Sequence, residues 1–234
     1  MTPAQAKTRP APGTKQILLV DDHPVMAQGL AQLLNHEPGL HVCALAGTAA
    51  KALDLAGKLK PDLALVDISL PGANGLELIK QLQACRPGLP VLVLSMHDEA
   101  LYAERALRAG ARGYVMKQEP SEVVIAAIHR VLAGELHMSE AMRSRLVNRL
   151  FDSAAARTGP DIARLSDREL EVFQLIGQGR GTREIAVALH LSIKTVETHR
   201  ARLKQKLHAR TGPELVQQAV AWVQQQQPQA RGAE

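Results

Sequence analysis

Five polar residues stand where short apolar runs of this 234-residue chain end, and their types together suit phosphoryl transfer. Asp21 and Asp22 follow the run ILLV, and Asp67 follows LALV. Ser95 closes VLVLS, and Lys117 follows GYVM. If these runs are strands of one parallel sheet, all five side chains meet at the edge formed by the carboxyl ends of the strands. That edge is where open parallel sheets bind their ligands.

Three carboxylates at one edge of a sheet repel one another unless a cation joins them. Mg²⁺ binds one or two protein carboxylates together with phosphate oxygens, so the set predicts a magnesium site. In phosphoryl transfer a carboxylate can be the nucleophile, a hydroxyl can donate a hydrogen bond and an ammonium group can neutralise phosphoryl oxygens. A single Asp after a strand is more often a turn or helix-cap residue. The recurrence of polar groups at successive strand ends favours the functional interpretation.

The elements that would position these residues alternate along the first half of the chain. Apolar runs at residues 16–20, 41–46, 63–66, 91–95 and 113–116 are too short for typical helices. Each is followed by a segment with helical periodicity, and these segments begin near Pro24, Thr48, Gly75, Asp98 and Ser121. Five consecutive βα units predict an α/β fold, a five-stranded doubly wound parallel sheet. Unbroken apolar runs are typical of strands that are buried on both faces.

The last third of the chain predicts an all-α unit of four short helices. Ser166 and Glu169 form a capping box that starts the first helix, and Ser192 caps the third. The expected helices cover residues 166–178, 182–189 and 192–207 and a segment from 212 onward. A short helix, a tight turn and a basic second helix are a DNA-binding arrangement, in which the second helix enters the major groove.

Charge and composition separate the two halves. Residues 16–140 hold 10 Lys and Arg against 14 Asp and Glu, whereas residues 141–234 hold 15 against 9, so the second half is the candidate for nucleic acid. No apolar run approaches the roughly 18 residues of a membrane span. The N-terminus lacks the apolar region of a signal peptide. Cys43 and Cys85 fit no zinc spacing, so we expect reduced thiols in a cytoplasmic protein without a membrane partner.

The segments LLVDDHP, LALVDISLPGANGLELI, VLVLS and LRAGARGYVMK resemble the receiver domain of bacterial two-component response regulators over about residues 15–135. The resemblance implies a strand order of 2-1-3-4-5 and makes Asp67 the phosphoacceptor for a cognate sensor histidine kinase. It implies that Mg²⁺ is held by Asp22, Asp67 and the backbone carbonyl of Ser69, with Asp21 acting through a water molecule.

The same resemblance assigns roles to three residues on the last two strands. Ser95 and Tyr114 would form a switch pair, and Lys117 would pair with the phosphoryl group. Leu70 stands where Met is commoner, which is a conservative departure. Gln118 stands where the subfamily that this chain resembles often has Asp, and we do not expect that change to abolish phosphorylation.

The segment LSDRELEVFQLIGQGRGTREIAVALHLSIKTVETHRARLKQKL resembles the LuxR-type helix-turn-helix, and both resemblances together indicate a NarL/FixJ-type response regulator. They imply that Glu197, Thr198 and Ala201 contact bases, and Glu197 replaces a Lys that is often found there. A carboxylate at that position can accept a hydrogen bond from cytosine N4 or orient a neighbouring arginine. The expected DNA-binding set is Lys194, Thr195, Glu197, Thr198, Arg200, Ala201, Arg202, Lys204, Gln205 and Lys206.

The expected domains are a disordered N-terminal extension (1–14), a receiver (15–135), a linker (136–163), a DNA-binding domain (164–224) and a flexible tail (225–234). One helix-turn-helix module buries only about 600–1,000 Å² on DNA, so we expect a homodimer on paired half-sites, enhanced by phosphorylation. Contact with RNA polymerase stays open. We expect no enzymatic activity beyond slow self-dephosphorylation.

Two other classes of protein compete with this interpretation. The first is a constitutive DNA-binding protein whose receiver serves only for dimerisation, and the complete set of acidic residues with Lys117 argues against it. The second is a metal-dependent phosphatase similar to the dehalogenase-like hydrolases. Those proteins carry a DxDx[TV] pattern, whereas Asp67 is followed by Ile-Ser-Leu and the second acid is absent.

Overall fold

The computed structural model describes residues 13–70, 73–144 and 162–226. The chain divides into two compact units, Met1–Leu150 and Phe151–Glu234. Most of the predicted N-terminal extension, linker and tail, and the Pro-Gly turn at residues 71–72, lie outside the described residues. Among the described helices, none is long and apolar enough to cross a membrane.

The first unit is built on a five-stranded parallel sheet, as predicted. Its strands are β1 (Lys15–Val20), β2 (Leu40–Ala46), β3 (Leu63–Val66), β6 (Val91–Ser95) and β7 (Gly113–Met116). The order β2-β1-β3-β6-β7 confirms the predicted 2-1-3-4-5 order, because β4 (Ser69–Leu70) and β5 (Ala73–Asn74) form a separate antiparallel hairpin. The helices that cover the sheet are α1 (Pro24–His36), α2 (Ala49–Leu59), α3 (Gly75–Cys85), α4 (Glu99–Ala109) and α5 (Ser121–Leu132), and residues 140–144 are helical as well.

The strands of this sheet are buried on both faces. Ile17 and Leu19 of β1 pack in one apolar cluster with residues of α1 and α5. Leu18 and Val20, which point to the opposite face, are fully buried as well. Full burial of such a side chain contributes about 1.5–3 kcal/mol, so covering both faces explains why the strands are unbroken apolar runs.

Side-chain caps start the two helices that follow the central strands. Asn74 Oδ1 accepts the Leu76 N–H at 2.8 Å and begins α3, and Asp98 Oδ1 accepts the Ala100 N–H at 2.8 Å and begins α4. Each cap pairs an N–H group that has no partner within its helix. The capped helix starts therefore fix the loops after β3 and β6, which lie at the carboxyl edge of the sheet.

The second unit contains only helices among its described residues. They are α6 (Asp167–Gly177), α7 (Thr182–Ala188), α8 (Ile193–Lys206) and α9 (Gly212–Gln226), preceded by a short 3₁₀ turn, Ile162–Arg164. The predicted capping box is present: Ser166 Oγ accepts the Glu169 N–H, and Glu169 Oε2 accepts the Ser166 N–H. Phe173 and Trp222 join α6 to α9 with ring centroids 5.4 Å apart.

Candidate functional site

Asp67 lies directly after β3 and is held from three directions. Its backbone N–H donates to the carbonyl of Val20 at 2.8 Å. Its Oδ1 accepts the backbone N–H of Ser69 at 3.0 Å, and its Oδ2 accepts a hydrogen bond from Lys117 Nζ at 2.7 Å. The carboxylate is buried, so its position at the sheet edge is fixed by these bonds.

The loop that carries Asp67 requires a glycine where α3 begins. A Cβ atom on Gly75 would lie 2.3 Å from Ile68 Cα and 2.7 Å from the carbonyl oxygen of Asp67. The N–H of Gly75 donates to the Ile68 carbonyl at 3.1 Å. Because Gly75 has no side chain, α3 starts directly against the loop and keeps Asp67 at the end of its strand.

Lys117 joins two carboxylates that come from different strands. Its Nζ lies 2.7 Å from Asp21 Oδ2 and 2.7 Å from Asp67 Oδ2, and all three side chains are at most 3% exposed. Burial alone would lower the pKa of Lys117, but the hydrogen bonds and charges of Asp21 and Asp67 outweigh burial and raise it. The ammonium group is therefore charged, and it offsets the repulsion between the two carboxylates.

Asp22 completes an acidic cluster at this edge. One ligating atom from each of Asp21, Asp22, His23 and Asp67 lies within 4.8 Å of the others. Asp22 Oδ1 is buried and makes no hydrogen bond. His23 Nδ1 lies 2.9 Å from it, but the angle between the two groups does not suit a hydrogen bond. A buried carboxylate oxygen without a partner is costly unless a cation or water meets it. Hard carboxylate oxygens are the ligands that Mg²⁺ prefers, so these residues fit the predicted metal.

Ser95 and Tyr114, the predicted switch pair, meet beside the acidic cluster. Both are buried on neighbouring strands, Ser95 at the end of β6 and Tyr114 as the second residue of β7. The Tyr114 hydroxyl donates to the carbonyl of His97 at 2.7 Å, and Ser95 Oγ accepts the N–H of the same residue at 3.1 Å. Burial raises the pKa of the Tyr114 phenol, and its hydrogen bond with Ser95 opposes that shift. The phenol is therefore neutral and is a hydrogen-bond donor.

His97 is a site residue that sequence reasoning missed. Its Nε2 lies 3.0 Å from Ser69 Oγ, so its imidazole reaches the loop that carries Asp67. Its ring packs on Tyr102 with centroids 4.6 Å apart. Burial lowers the pKa of His97, with the charge of Asp67 opposing and that of Lys117 adding to the shift. The only sequence signal was a polar side chain two residues after Ser95.

Helix α8 presents most of the predicted DNA-binding set to solvent. Val196 and Leu203 are buried against the rest of the unit. Thr198 donates its hydroxyl to the carbonyl of Lys194 at 2.9 Å, and this bond leaves the lone pairs of its oxygen available as acceptors. The exposed members of the set are Lys194, Glu197, Thr198, Ala201, Arg202 and Gln205; Thr195, Arg200, Lys204 and Lys206 are partly buried.

Lys206 differs from the rest of that set because its ammonium group is engaged inside the unit. Its Nζ lies 2.6 Å from Glu169 Oε2 and donates to the Arg164 carbonyl at 3.2 Å. Burial alone would raise the pKa of Glu169, but the hydrogen bonds from Lys206 and Ser166 lower it. The pair fastens the end of α8 to the start of α6, and this contact disfavours a role for Lys206 on a DNA phosphate.

These features define a class of protein. The first unit combines a doubly wound sheet with acidic, hydroxyl and ammonium groups at its carboxyl edge. The second is a helix-turn-helix unit with an exposed polar and basic helix. The combination is that of a receiver joined to a DNA-binding output domain.

Comparison with known proteins agrees with this class. Residues 17–129 match the family described as Response regulator receiver domain, and residues 163–219 match Bacterial regulatory proteins, luxR family. The oxygen regulatory protein NreC of Staphylococcus aureus is 35% identical over 209 residues, which cover 88% of this chain and 96% of NreC. The chain therefore belongs to the response regulators with a LuxR-type DNA-binding domain, and the resemblance inferred from its motifs is confirmed.

Two solved structures extend the comparison. A LuxR-family two-component response regulator from Aurantimonas sp. SI85-9A1 is 32% identical, with a TM-score of 0.56 over 59% of this chain and 99% of its own. RcsB from Salmonella enterica serovar Typhimurium, bound to promoter rprA in the presence of the phosphomimetic BeF3−, is 25% identical, with a TM-score of 0.58 over 88% of this chain and 98% of its own. The roles of the individual residues stay predictions.

Proposed function

We propose that this response regulator accepts a phosphoryl group on Asp67 from a sensor histidine kinase and, once phosphorylated, binds promoter DNA as a dimer. The observation that carries the proposal is the geometry around Lys117. Its ammonium group lies 2.7 Å from carboxylate oxygens of both Asp21 and Asp67, which share an acidic cluster with Asp22, whose buried Oδ1 makes no hydrogen bond. A buried site with more carboxylates than cations favours a divalent metal ion, and Mg²⁺ completes its coordination with phosphoryl oxygens.

In the proposed transfer, a carboxylate oxygen of Asp67 attacks the phosphorus of a phosphohistidine on the kinase. The new O–P bond forms as the N–P bond breaks, and the departing imidazole nitrogen takes a proton from solvent. The ammonium group of Lys117 already contacts Asp67 Oδ2, so it is placed to follow the added charge onto a phosphoryl oxygen. Asp67 becomes an acyl phosphate, the kinase histidine returns to its unphosphorylated form, and no other residue of this chain changes covalently.

Mg²⁺ would be held by Asp22, Asp67 and the backbone carbonyl of Ser69, with Asp21 acting through a water molecule. A bound Mg²⁺ supplies neutralisation of the phosphoryl oxygens during the transfer. The support for it is the cluster of ligating atoms within 4.8 Å of one another and the buried oxygen of Asp22 that makes no hydrogen bond. Lys117 supplies one positive charge against three negatively charged carboxylates. Two further positive charges, as on one divalent cation, would neutralise the cluster.

The proposed switch connects this site to the rest of the receiver. Ser95 would donate its hydroxyl to a phosphoryl oxygen and give up its contact with Tyr114. The phenol of Tyr114 would keep its bond to the His97 carbonyl, which is 2.7 Å long. A coupling of about 1–3 kcal/mol between phosphorylation and the DNA-competent state is sufficient to change promoter occupancy.

In the output domain, Glu197, Thr198 and Ala201 would contact bases and the neighbouring basic residues would contact phosphates. Their exposure on one side of α8 supports this assignment. A single module has a small footprint on DNA, which supports a homodimer on paired half-sites. The protein would act in the cytoplasm, where promoter DNA is found. Its catalytic activity would be limited to hydrolysis of its own acyl phosphate.

The experiment combines a small phosphodonor with selection of genomic DNA fragments. Wild-type protein, incubated with acetyl phosphate and Mg²⁺, should gain one phosphoryl group by intact mass and retain a defined set of fragments more strongly. The Asp67→Asn variant should do neither. Asp54→Asn is the matched control, because Asp54 is exposed on α2 and pairs only with Lys58 among the contacts described.

The same experiment separates the rival functions. If Asp67→Asn bound the fragments with unchanged affinity and an unchanged response to acetyl phosphate, the protein would be a constitutive DNA-binding protein and the proposal would be wrong. Steady turnover of p-nitrophenyl phosphate would instead identify a phosphatase. We expect no such turnover, because no second acid follows Asp67 at the spacing found in the phosphatase pattern.

A further inference from the structure

The chain that leaves the receiver after α5 turns back onto the edge of its sheet. We name residues 136–142 the exit strap. The N–H of His137 donates to the Arg112 carbonyl at 3.0 Å, and the N–H of Tyr114 donates to the His137 carbonyl at 3.0 Å. These bonds form a parallel bridge between Gly113 and His137. The exit strap therefore pairs with the exposed side of β7, at the backbone of the switch tyrosine.

The first residue of β7 is shaped for this contact. A Cβ atom on Gly113 would lie 2.8 Å from the His137 carbonyl oxygen, 3.0 Å from His137 Cβ and 2.9 Å from Leu92 Cδ1. Two of these atoms belong to the exit strap, and one of them is backbone. Any larger residue at position 113 would therefore push the strap away from the strand.

A second anchor joins the exit strap to the start of α4. The N–H of Ser139 donates to Glu99 Oε1 at 2.9 Å, and Glu99 is the first residue of that helix. Ser139 Oγ in turn accepts the N–H of Met142 at 3.1 Å, and the Met142 side chain is buried. The exit strap thus contacts two elements of the receiver, β7 and α4.

Both of these elements contain parts of the proposed switch. Tyr114 belongs to β7, and its hydroxyl donates to the carbonyl of His97. His97 immediately precedes Asp98, the residue that caps α4. A shift of the β7 backbone at Tyr114, or of the loop at His97 that leads into α4, would therefore reach a group to which the exit strap is bonded.

We propose that docking of the exit strap is coupled to phosphorylation of Asp67, so that the strap carries the state of the switch to the chain segment leading toward the DNA-binding unit. The inference rests on the proposed function of Asp67. The docked strap lies beside the backbone of Tyr114, and the phenol of Tyr114 is buried. A phenol that rotated outward at this edge of the sheet would occupy space next to the strap and compete with its docking. Strap docking and the inward phenol therefore favour each other.

The direction of the coupling follows from reciprocity. A phosphoryl group that draws Ser95 toward Asp67 leaves the Tyr114 hydroxyl with the His97 carbonyl as its partner and holds the phenol inward. Docking of the strap stabilises the inward phenol by the same free energy by which the inward phenol stabilises docking. Phosphorylation therefore tightens the exit strap on β7 and α4.

Hydrogen exchange measured by NMR on the full-length protein tests this directly. On treatment with acetyl phosphate and Mg²⁺, the amides of Tyr114, His137 and Ser139 should exchange at least about fivefold more slowly. The amide of Lys15, which donates to Gly39 at the opposite edge of the sheet, is the internal control and should not change. Intact mass of the same sample reports whether Asp67 is phosphorylated.

The two proposals fail in distinguishable ways. If the mass shows a phosphoryl group and the strap amides exchange at an unchanged or faster rate, the strap coupling is wrong and the proposed function stands. If no phosphoryl group is gained, the proposed function is wrong and the coupling is rejected with it.

Variants of the anchors test the consequence for DNA binding. Gly113→Ala should be phosphorylated by acetyl phosphate at the wild-type rate. Phosphorylation should raise its affinity for the most strongly retained genomic fragment by a factor at least about fivefold smaller than in the wild type. Gly57→Ala on α2, where a Cβ meets nothing within 4 Å, is the matched control. Full retention of the gain in Gly113→Ala would overturn the proposal.

A second pair of variants protects the test against misfolding of the glycine variant. Glu99→Ala removes the acceptor of the Ser139 N–H and should also reduce the gain in affinity. Glu77→Ala is its control, because Glu77 stands in the first turn of α3, is exposed and pairs with Lys80. Equal gains in both glutamate variants would count against the coupling.

Discussion

Replacement of Lys117 by Met should destabilise the receiver severely, because it leaves two buried carboxylates without their cation. Lys117 Nζ lies 2.7 Å from both Asp21 and Asp67, and the three side chains are at most 3% exposed. Removing one partner of a buried ion pair costs about 3–5 kcal/mol. With a urea m-value of about 2 kcal/mol/M for a domain of this size, the unfolding midpoint falls by about 1.5–2.5 M.

The placement of the aromatic residues allows each unit to be followed separately. The only two tyrosines, Tyr102 and Tyr114, lie in the receiver, and the only tryptophan, Trp222, lies in the DNA-binding unit. In a urea titration, near-ultraviolet circular dichroism of the tyrosines should show the lowered midpoint for Lys117→Met. Tryptophan fluorescence should show an unchanged midpoint and serves as the control within the same molecule.

Two further measurements test the electrostatic origin of the effect. Mg²⁺, or a second substitution of Asp67→Asn, should recover part of the lost stability, since each reduces the uncompensated negative charge.

The pH dependence of the wild-type protein is the second measurement. Because the pKa of Lys117 is raised, the contribution of Lys117 to the free energy of unfolding is complete below its ordinary pKa of 10.5 and is lost as the pH rises through the raised pKa. Lys58→Met, at an exposed pair with Asp54, should change stability by less than about 1 kcal/mol. A Lys117→Met midpoint no lower than that of Lys58→Met would refute the reasoning.

Three more predictions concern the contact between α6 and α8, the loop that carries Asp67, and the binding of DNA. Glu169→Gln should lower the urea midpoint of the tryptophan signal at neutral pH. The pair with Lys206 lowers the pKa of Glu169, so the stability difference between wild type and Glu169→Gln should shrink as the pH falls below 4.5 and through the lowered pKa. A difference that does not depend on pH would exclude the ion pair as its cause. Gly75→Ala should slow acyl phosphate formation from acetyl phosphate by about 10²-fold, because its Cβ displaces the loop of Asp67, and a wild-type rate would contradict the packing argument. Lys194→Ala should weaken binding to all DNA sequences and reduce by about 1 the slope of log affinity against log salt concentration. Glu197→Ala should instead change the preference at one base pair by about 1–3 kcal/mol. Electrophoretic mobility shifts over a salt series distinguish the phosphate contact from the base contact.

The fold of the receiver was predictable because each strand is an unbroken apolar run followed by a helical period. Short runs of this kind, as in Leu63–Val66, are typical of strands covered on both faces, and their alternation with helical segments predicts parallel pairing. The hairpin of β4 and β5 was not predictable. Strands of two residues show no periodicity, and their pairing depends on the close approach of Gly75 to Ile68, which only coordinates reveal.

The meeting of Asp21, Asp67 and Lys117 was predictable because strand ends converge at one edge of a parallel sheet, whatever their separation in sequence. The contribution of His97 was not, since it depends on which direction a loop side chain takes. Lys206 shows a related limit: its position on α8 fits an outward-facing cation, but a carboxylate from α6, 37 residues earlier, binds it instead. Periodicity indicates which face a residue occupies and leaves its partner undetermined.

The two carboxylate oxygens of Asp67 are held by parts of the chain with unequal freedom. Oδ1 is bonded to a backbone N–H two residues away, within its own turn, whereas Oδ2 is bonded to the end of a lysine side chain from another strand. A phosphoryl group attached to Oδ2 would displace only the bond to the Lys117 side chain and would leave the turn intact. If Asp67 is the phosphoacceptor, as proposed, a phosphoryl group could thus be added and removed repeatedly without rearrangement of the backbone turn around it.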